Sequence, residues 1–339
     1  MMRLLKWLLV VGVAVAIVGF FLAARAPVLD IKAYGATFAP FHAENFGLDP
    51  KTVYRAMLDD LGIRRIRISA YWNRVESSEG RFDFSELDWQ VAEAEKRGAE
   101  LIMAIGQKLP RWPECHIPEW ATALSSQEYQ EKLLQYIVVV VGRYKDSPSI
   151  KVWQIENEPF LDFGVCPPLD RELLDKEIAL ARSLDSPASS ESLGGRPVMI
   201  TDSGELSFWV RAHKRADIFG STLYRTIWHP AVGVFTYPLP PVFFRIKRAI
   251  TELASGVKPA VVIELQAEPW QEKALFQTEP AEHYKTMDPE KFRALLSYIR
   301  GTGFDEFYFW GVEWWYWLKE TQNKPEMWNI AKEAIQKTR

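Results

Sequence analysis

Short runs rich in β-branched and aromatic residues alternate along this chain with longer stretches in which apolar residues recur every three or four positions. The short runs read as buried strands: Ala33–Phe38, Arg64–Ser69, Glu100–Ile105, Ile150–Ile155, Pro197–Thr201, Ile218–Leu223, Ala260–Glu264 and Glu306–Trp310. The stretches between them carry helix start signals. Asp49-Pro50 offers a cap and a first-turn proline, Ser125 with Glu128 fits a capping box, and Asp288-Pro289 opens a helix with Phe292, Leu295, Leu296 and Ile299 on one face. A last helix, about 326–337, closes the cycle after Pro325. Strands alternating with helices imply parallel pairing through right-handed crossovers, and eight such units satisfy a (β/α)8 barrel. A doubly wound open sheet would advertise a glycine-rich phosphate turn after the first strand, and YGATFAPFHAENFGLD has none.

The first residues break this pattern. Arg3 and Lys6 precede an uncharged apolar run, Trp7 to Ala24, of about the 18 residues that begin to qualify as a membrane span. The positive end predicts a cytoplasmic N-terminus with everything downstream exported. Residues 1–26 therefore read as a signal anchor, with a cleaved signal peptide as the rival because Ala24-Arg25-Ala26 resembles a cleavage site. Residues 27–339 form the barrel domain, exported in either case. Export gives the two cysteines a meaning: Cys115 and Cys166 lie in separate Pro-rich loops after predicted strands, either paired as a disulfide or left as free thiols.

Composition narrows the function. A formal charge of -3 leaves no polybasic footprint for nucleic acid. Five His without paired ligand spacing and two Cys give no metal site, and no cofactor motif is present. Aromatics are abundant: 14 Trp against 7 Met favours surfaces that meet sugar rings. Strand four ends IKVWQIENEPF and presents Glu156, Asn157, Glu158 and Pro159, while strand seven ends with Glu264. In a barrel, strand C-termini line the reaction site, and carboxylates on two such ends are the equipment of glycoside hydrolysis. Any single strand-end Glu is more often a solvated loop residue. The Asn-Glu-Pro triplet is more specific, because the Asn157 amide can hold a sugar hydroxyl beside the acid.

On these residues, with Arg67 in RRIRIS and the stretch AYWNRVESSEGRFDFSELDW, the chain resembles the retaining glycoside hydrolases of the (β/α)8 clan that includes cellulases, mannanases and β-galactosidases. The resemblance covers about residues 33–335. It implies Glu158 as general acid/base, Glu264 as nucleophile, Arg67 as the cation beside the nucleophile, Tyr224 as its orienting hydroxyl and Trp310 as an aromatic platform, with a core ion pair, a satisfied core hydroxyl and a packing ring as the alternatives for the last three. Trp72 is a further candidate sugar contact, and so are His116, Trp112, Asp202 and Glu205, each of these four with loop packing as the alternative. Trp314 is platform or packing. Glu268 is a sugar contact, or the nucleophile if strand seven runs longer, and Glu156 is the acid only in a shifted register. Alternation in RRIRIS aims Arg67 opposite to Ile66 and Ile68, into the barrel mouth. The expectation is an exported enzyme acting on an oligo- or polysaccharide, with transglycosylation using the same residues. The alternatives are a catalytically silent carbohydrate-binding barrel of the envelope and a metal-dependent barrel hydrolase; the sugar and the oligomeric state stay open.

Overall fold

In the computed structural model, which describes residues 29–185 and 195–338, a closed barrel of eight parallel strands is surrounded by helices. The barrel strands are β1 (Ala33–Thr37), β2 (Arg65–Ser69), β3 (Glu100–Ile105), β4 (Ile150–Ile155), β5 (Val198–Asp202), β6 (Ile218–Leu223), β9 (Ala260–Gln266) and β10 (Glu306–Trp310). All eight expected strands are present, with ends shifted by no more than two residues. Between β6 and β9 the chain adds an antiparallel hairpin, β7 (Thr226–His229) and β8 (Gly233–Thr236). The sequence pattern did not announce it, because this ribbon buries only one end and so carries no sustained apolar alternation. The expected N-terminal segment, residues 1–26, lies outside the described residues. Among the described residues, no helix is long and apolar enough to cross a membrane.

Helix starts follow the local chemistry. Asp49 accepts from the backbone N–H groups of Lys51 and Thr52, Ser125 and Glu128 complete their reciprocal cap, and Asp288 accepts from the Lys291 N–H. Each satisfies donors that the first helical turn leaves unpaired.

Strand alternation divides the side chains into two cores. Outward residues such as Ile66, Ile68, Met103 and Trp153 pack beneath the helices, while Ile102, Val152, Met199, Val261, Ile263 and Tyr308 fill the barrel. Above that plug the inward positions turn polar: Arg67, Gln154 and Glu264 are all buried. The β9 ladder is irregular where this change occurs. Val262 pairs with Ser221 and Phe307, yet the next partners are Glu264 with Thr222 and Leu265 with Phe309. A bulge of this kind re-aims a side chain at a strand end.

The loops after β3 and β4 are joined by a disulfide, Cys115–Cys166, and the Val165 N–H donates to the Pro113 carbonyl alongside it. Trp72, expected as a sugar contact, belongs instead to the core. Its ring is fully buried, stacked on Tyr136 at 5.6 Å and meeting Trp120 edge-on, and its indole N–H donates to Glu76. Trp72→Ala should therefore destabilise the fold by about 3–5 kcal/mol in a urea titration. A variant as stable as the parent would make Trp72 a surface contact again.

Candidate active site

The chain leaves β4 through an unusual turn. Glu156 and Glu158 both adopt left-handed backbone, φ 56° and 43°, which costs energy for non-glycine residues and is found where geometry is over-determined. Three hydrogen bonds hold it. The N–H groups of Glu156, Asn157 and Glu158 donate to the Ile105 carbonyl, the Lys108 carbonyl and Thr201 Oγ1 at 2.9, 2.6 and 2.8 Å. Glu156 turns away from the mouth. Its carboxylate accepts from the Gln107 and Lys108 N–H groups at 2.8 and 2.6 Å and shares a hydrogen bond with Glu177. Position 106 is glycine because a Cβ there would collide with the Glu156 carboxylate. Glu156 is thus a loop-binding residue, and the shifted-register reading fails.

Asn157 and Glu158 face the mouth, where Arg67 organises the site. The Arg67 guanidinium is fully buried and donates to Gln154 Oε1 at 2.8 Å, Glu264 Oε1 at 2.6 Å and Asn157 Oδ1 at 2.6 Å. The Tyr224 hydroxyl donates to the other Glu264 oxygen, Oε2, at 2.9 Å. Both oxygens of Glu264 therefore have fixed donors. Glu158 receives one hydroxyl, Thr222 Oγ1, at 3.2 Å from its Oε1, and Thr222 stands beside Glu264 in the β6–β9 ladder. Burial pushes the Glu158 carboxyl well above the usual carboxylate range, and the charges of Glu264, Glu114 and Asp202 push it further. One carboxyl is held by a cation; its neighbour is held protonated.

Asn157 has less freedom than expected. Its Oδ1 accepts from Arg67 and Thr201, and its amide nitrogen donates to Glu114 Oε2 at 3.2 Å. It positions the turn rather than presenting a free amide. Glu114 was not foreseen: burial first and then Glu264 raise it to about 7. Its Pro-rich loop gave no signal, since only the disulfide and the fold bring it to Asn157. Gln154, Thr201, Thr222, Lys108 and Arg111 were missed for the same reason. The Lys108 ammonium donates to the Glu158 and Leu161 carbonyls at 3.2 and 2.6 Å.

The remaining candidates separate. β9 does run two residues longer than expected, yet Glu268 pairs with Arg111 and lies 3.4 Å from His42 Nε2. Burial opposes its charge, but Arg111 and then His42 hold Glu268 down at about 2. It is a structural anion beside the site, while Glu264 holds the Arg67–Tyr224 position. Arg111 also contacts Glu313 and lies over the Trp310 ring at 4.0 Å, so a protein cation covers a face of the expected platform. His116 is buried between Phe41 and Tyr71 with Nε2 against the Arg111 carbonyl, and burial lowers it to about 4, which makes it a neutral packing residue. Trp314 is core, its N–H donating to His283. Glu205 accepts from the Tyr224 N–H and Asp202 from the Ser203 N–H, both as loop supports. Trp112 is 63% exposed.

No family model matches the chain. A β-galactosidase of Haloferax lucentense is 26% identical over 121 residues, 30% of this chain and 18% of that protein. A probable mannan endo-1,4-β-mannosidase of Aspergillus terreus is 30% identical over 117 residues, 32% of this chain and 29% of that protein. The chain thus matches less than a third of the length of either curated relative. Among solved structures, a β-galactosidase of the Antarctic haloarchaeon Halorubrum lacusprofundi superposes with a TM-score of 0.61 over 90% of this chain and 58% of its own, at 15% identity. An endo-β-1,4-xylanase of Gloeophyllum trabeum gives 0.57 over 91% and 99%, at 17% identity. The chain is therefore similar to barrel glycoside hydrolases in local sequence and in fold.

The buried acids have a measurable consequence. Burial raises Asp202, Glu114 and Glu205 to about 6, 7 and 8 from ordinary values of 3.8, 4.5 and 4.5. Folding therefore favours their protonated forms; the stability they contribute is full below the unfolded value and lost as pH climbs through the folded one. Glu268 acts oppositely, contributing above 4.5 and failing toward about 2. Unfolding free energy should decline between about pH 5 and about pH 8, and Glu205→Gln should flatten that decline. A decline unchanged in the variant would contradict the assignment.

Proposed function

We propose that the protein is an exported glycoside hydrolase that cleaves a β-linked glycan with retention of anomeric configuration. The observation that carries this reading is the unequal treatment of two neighbouring carboxyls. Glu264 is clamped by Arg67 and Tyr224 with both oxygens directed by donors, whereas Glu158 is held protonated by burial and by the charge of Glu264. Environments that drive two acids apart define a nucleophile and an acid.

In the first step a Glu264 oxygen bonds to the anomeric carbon as the glycosidic C–O bond breaks, and the Glu158 proton passes to the departing oxygen. Glu158, now a carboxylate, removes a proton from water as that water attacks the same carbon and releases Glu264. The second displacement restores both residues and the original configuration. Arg67 and Tyr224 each hold one Glu264 oxygen, so whichever oxygen attacks, the other keeps its donor and the carboxylate keeps its orientation. With a sugar hydroxyl in place of water, the same sequence is transglycosylation. Similarity to a β-galactosidase, a β-mannosidase and a β-xylanase supports a β-linked substrate. The apolar N-terminal run supports export and an anchor, and a formed disulfide suits an oxidising compartment.

The test is kinetic and stereochemical. Glu264→Ala should lose several orders of magnitude in kcat on every glycoside. Glu158→Gln should lose roughly 10²–10⁴-fold on natural linkages and much less on aryl glycosides whose leaving group needs no proton. Because Glu158 must carry its proton, kcat/KM should fall on the alkaline side, and that limb should vanish in Glu158→Gln assayed on an activated aryl glycoside. Proton NMR of fresh product should show the β-anomer first. An α-anomer first, or wild-type turnover by Glu264→Ala, removes the double-displacement reading.

A further inference from the structure

A row of aromatic rings leads from the nucleophile to solvent. Tyr224, whose hydroxyl holds Glu264, meets Trp270 at 5.2 Å and 87°; Trp270 meets Phe163 at 5.8 Å and 51°; Phe163 meets Trp112 at 6.2 Å and 68°. Exposure rises along the row, from 8% at Tyr224 through a partly buried Trp270 to 37% at Phe163 and 63% at Trp112. Trp112, Phe163 and Trp270 belong to none of the hydrophobic cores, so the burial that usually explains large aromatics does not explain these three.

The row is also fastened. Trp112 comes from the loop after β3, Phe163 from the loop after β4 and Trp270 from the loop after β9. The Cys115–Cys166 disulfide and the Val165 N–H to Pro113 carbonyl bond tie the first two loops together beside the rings. Gly164 fits this junction closely, since a Cβ there would lie 2.5 Å from Glu114 Cβ. Meanwhile Arg111 covers a face of Trp310, whereas the outer row is exposed at its far end and joined to Glu264 through Tyr224 at its near end. Neighbouring rings meet tilted or edge to face rather than stacked, and the exposed surfaces of Phe163 and Trp112 are open to the C–H faces of pyranoses.

We infer that Trp112, Phe163 and Trp270 form an extended track that binds successive residues of a linear β-linked glycan, so the site is built for chains of several sugars rather than for a short glycoside. This inference rests on the function proposed above. It assigns a substrate class by length, and it gives the disulfide a role in holding two walls of the track in register.

Wild-type, Trp112→Ala, Phe163→Ala and Trp112→Phe proteins would be assayed on nitrophenyl β-galactoside and β-mannoside and on β-1,4-linked mannose, xylose and glucose oligomers of two to six residues. In the wild type, kcat/KM should rise with oligomer length for the accepted sugar. Each Ala variant should raise KM for the hexamer by roughly three- to tenfold while leaving the aryl glycosides within about twofold, and Trp112→Phe should recover most of the loss. Melting temperature should be unchanged by Trp112→Ala, because that side chain is mostly exposed. Equal losses on aryl glycoside and hexamer, or none on the hexamer, overturn the track. If the wild type cleaves none of these compounds, calorimetric titration of the same hexamers separates the two readings. Binding weakened by Trp112→Ala keeps the track and removes the hydrolase, whereas unchanged or absent binding overturns the track.

Discussion

A single guanidinium holds the mouth of this barrel together. Arg67 is fully buried and divides its donors among Gln154 on β4, Asn157 in the turn beyond it, and Glu264 on β9. No Lys can take this place, because an ammonium lacks the planar fork that meets three oxygens in fixed directions. Removing one partner from a buried pair of this kind typically costs about 3–5 kcal/mol, since the other charge stays desolvated. The constraint runs both ways: Arg67 needs Glu264 for its charge, and Glu264 needs Arg67 and Tyr224 to remain defined in orientation. Glu158 takes its character from burial first and from the charge of Glu264 beside it second.

Backbone geometry prepares that arrangement before any side chain meets substrate. Left-handed residues at positions 156 and 158 send side chains to opposite sides of the turn, so Glu156 grips the β3 loop while Asn157 and Glu158 face the mouth. The irregular pairing in β9 changes the phase of that strand just before Glu264. Strain and bulge sit at the two strand ends that carry the acids. A further register irregularity lies between β3 and β4, where Leu101 faces Ile150 and Ile102 faces Val152, below the level of the acids.

Much of this was legible in the chain itself. Short β-branched and aromatic runs located the barrel strands, alternation in RRIRIS aimed Arg67 inward, and strand ends pointed to Glu158 and Glu264. Capping signals at Asp49, Ser125 and Asp288 were local and therefore readable. What escaped was set by contacts distant in sequence. Glu114 reaches Asn157 across 43 residues and Arg111 reaches Glu268 across 157, and neither spacing leaves a periodic trace. Trp72 and His116 misled because an aromatic near a strand end looks alike whether it faces sugar or core. Only the packing around Tyr136 and Tyr71 separates those cases.

The double displacement requires Glu264 to become covalently bonded to sugar. A fluorinated, activated β-glycoside that forms the glycosyl-enzyme quickly but hydrolyses it slowly would trap that species for intact mass measurement and peptide mapping. One added glycosyl mass per chain is expected, on the peptide bearing Glu264, with loss of activity in proportion to labelling. A label on Glu268, or an active protein that is never labelled by a glycoside it turns over, would contradict it.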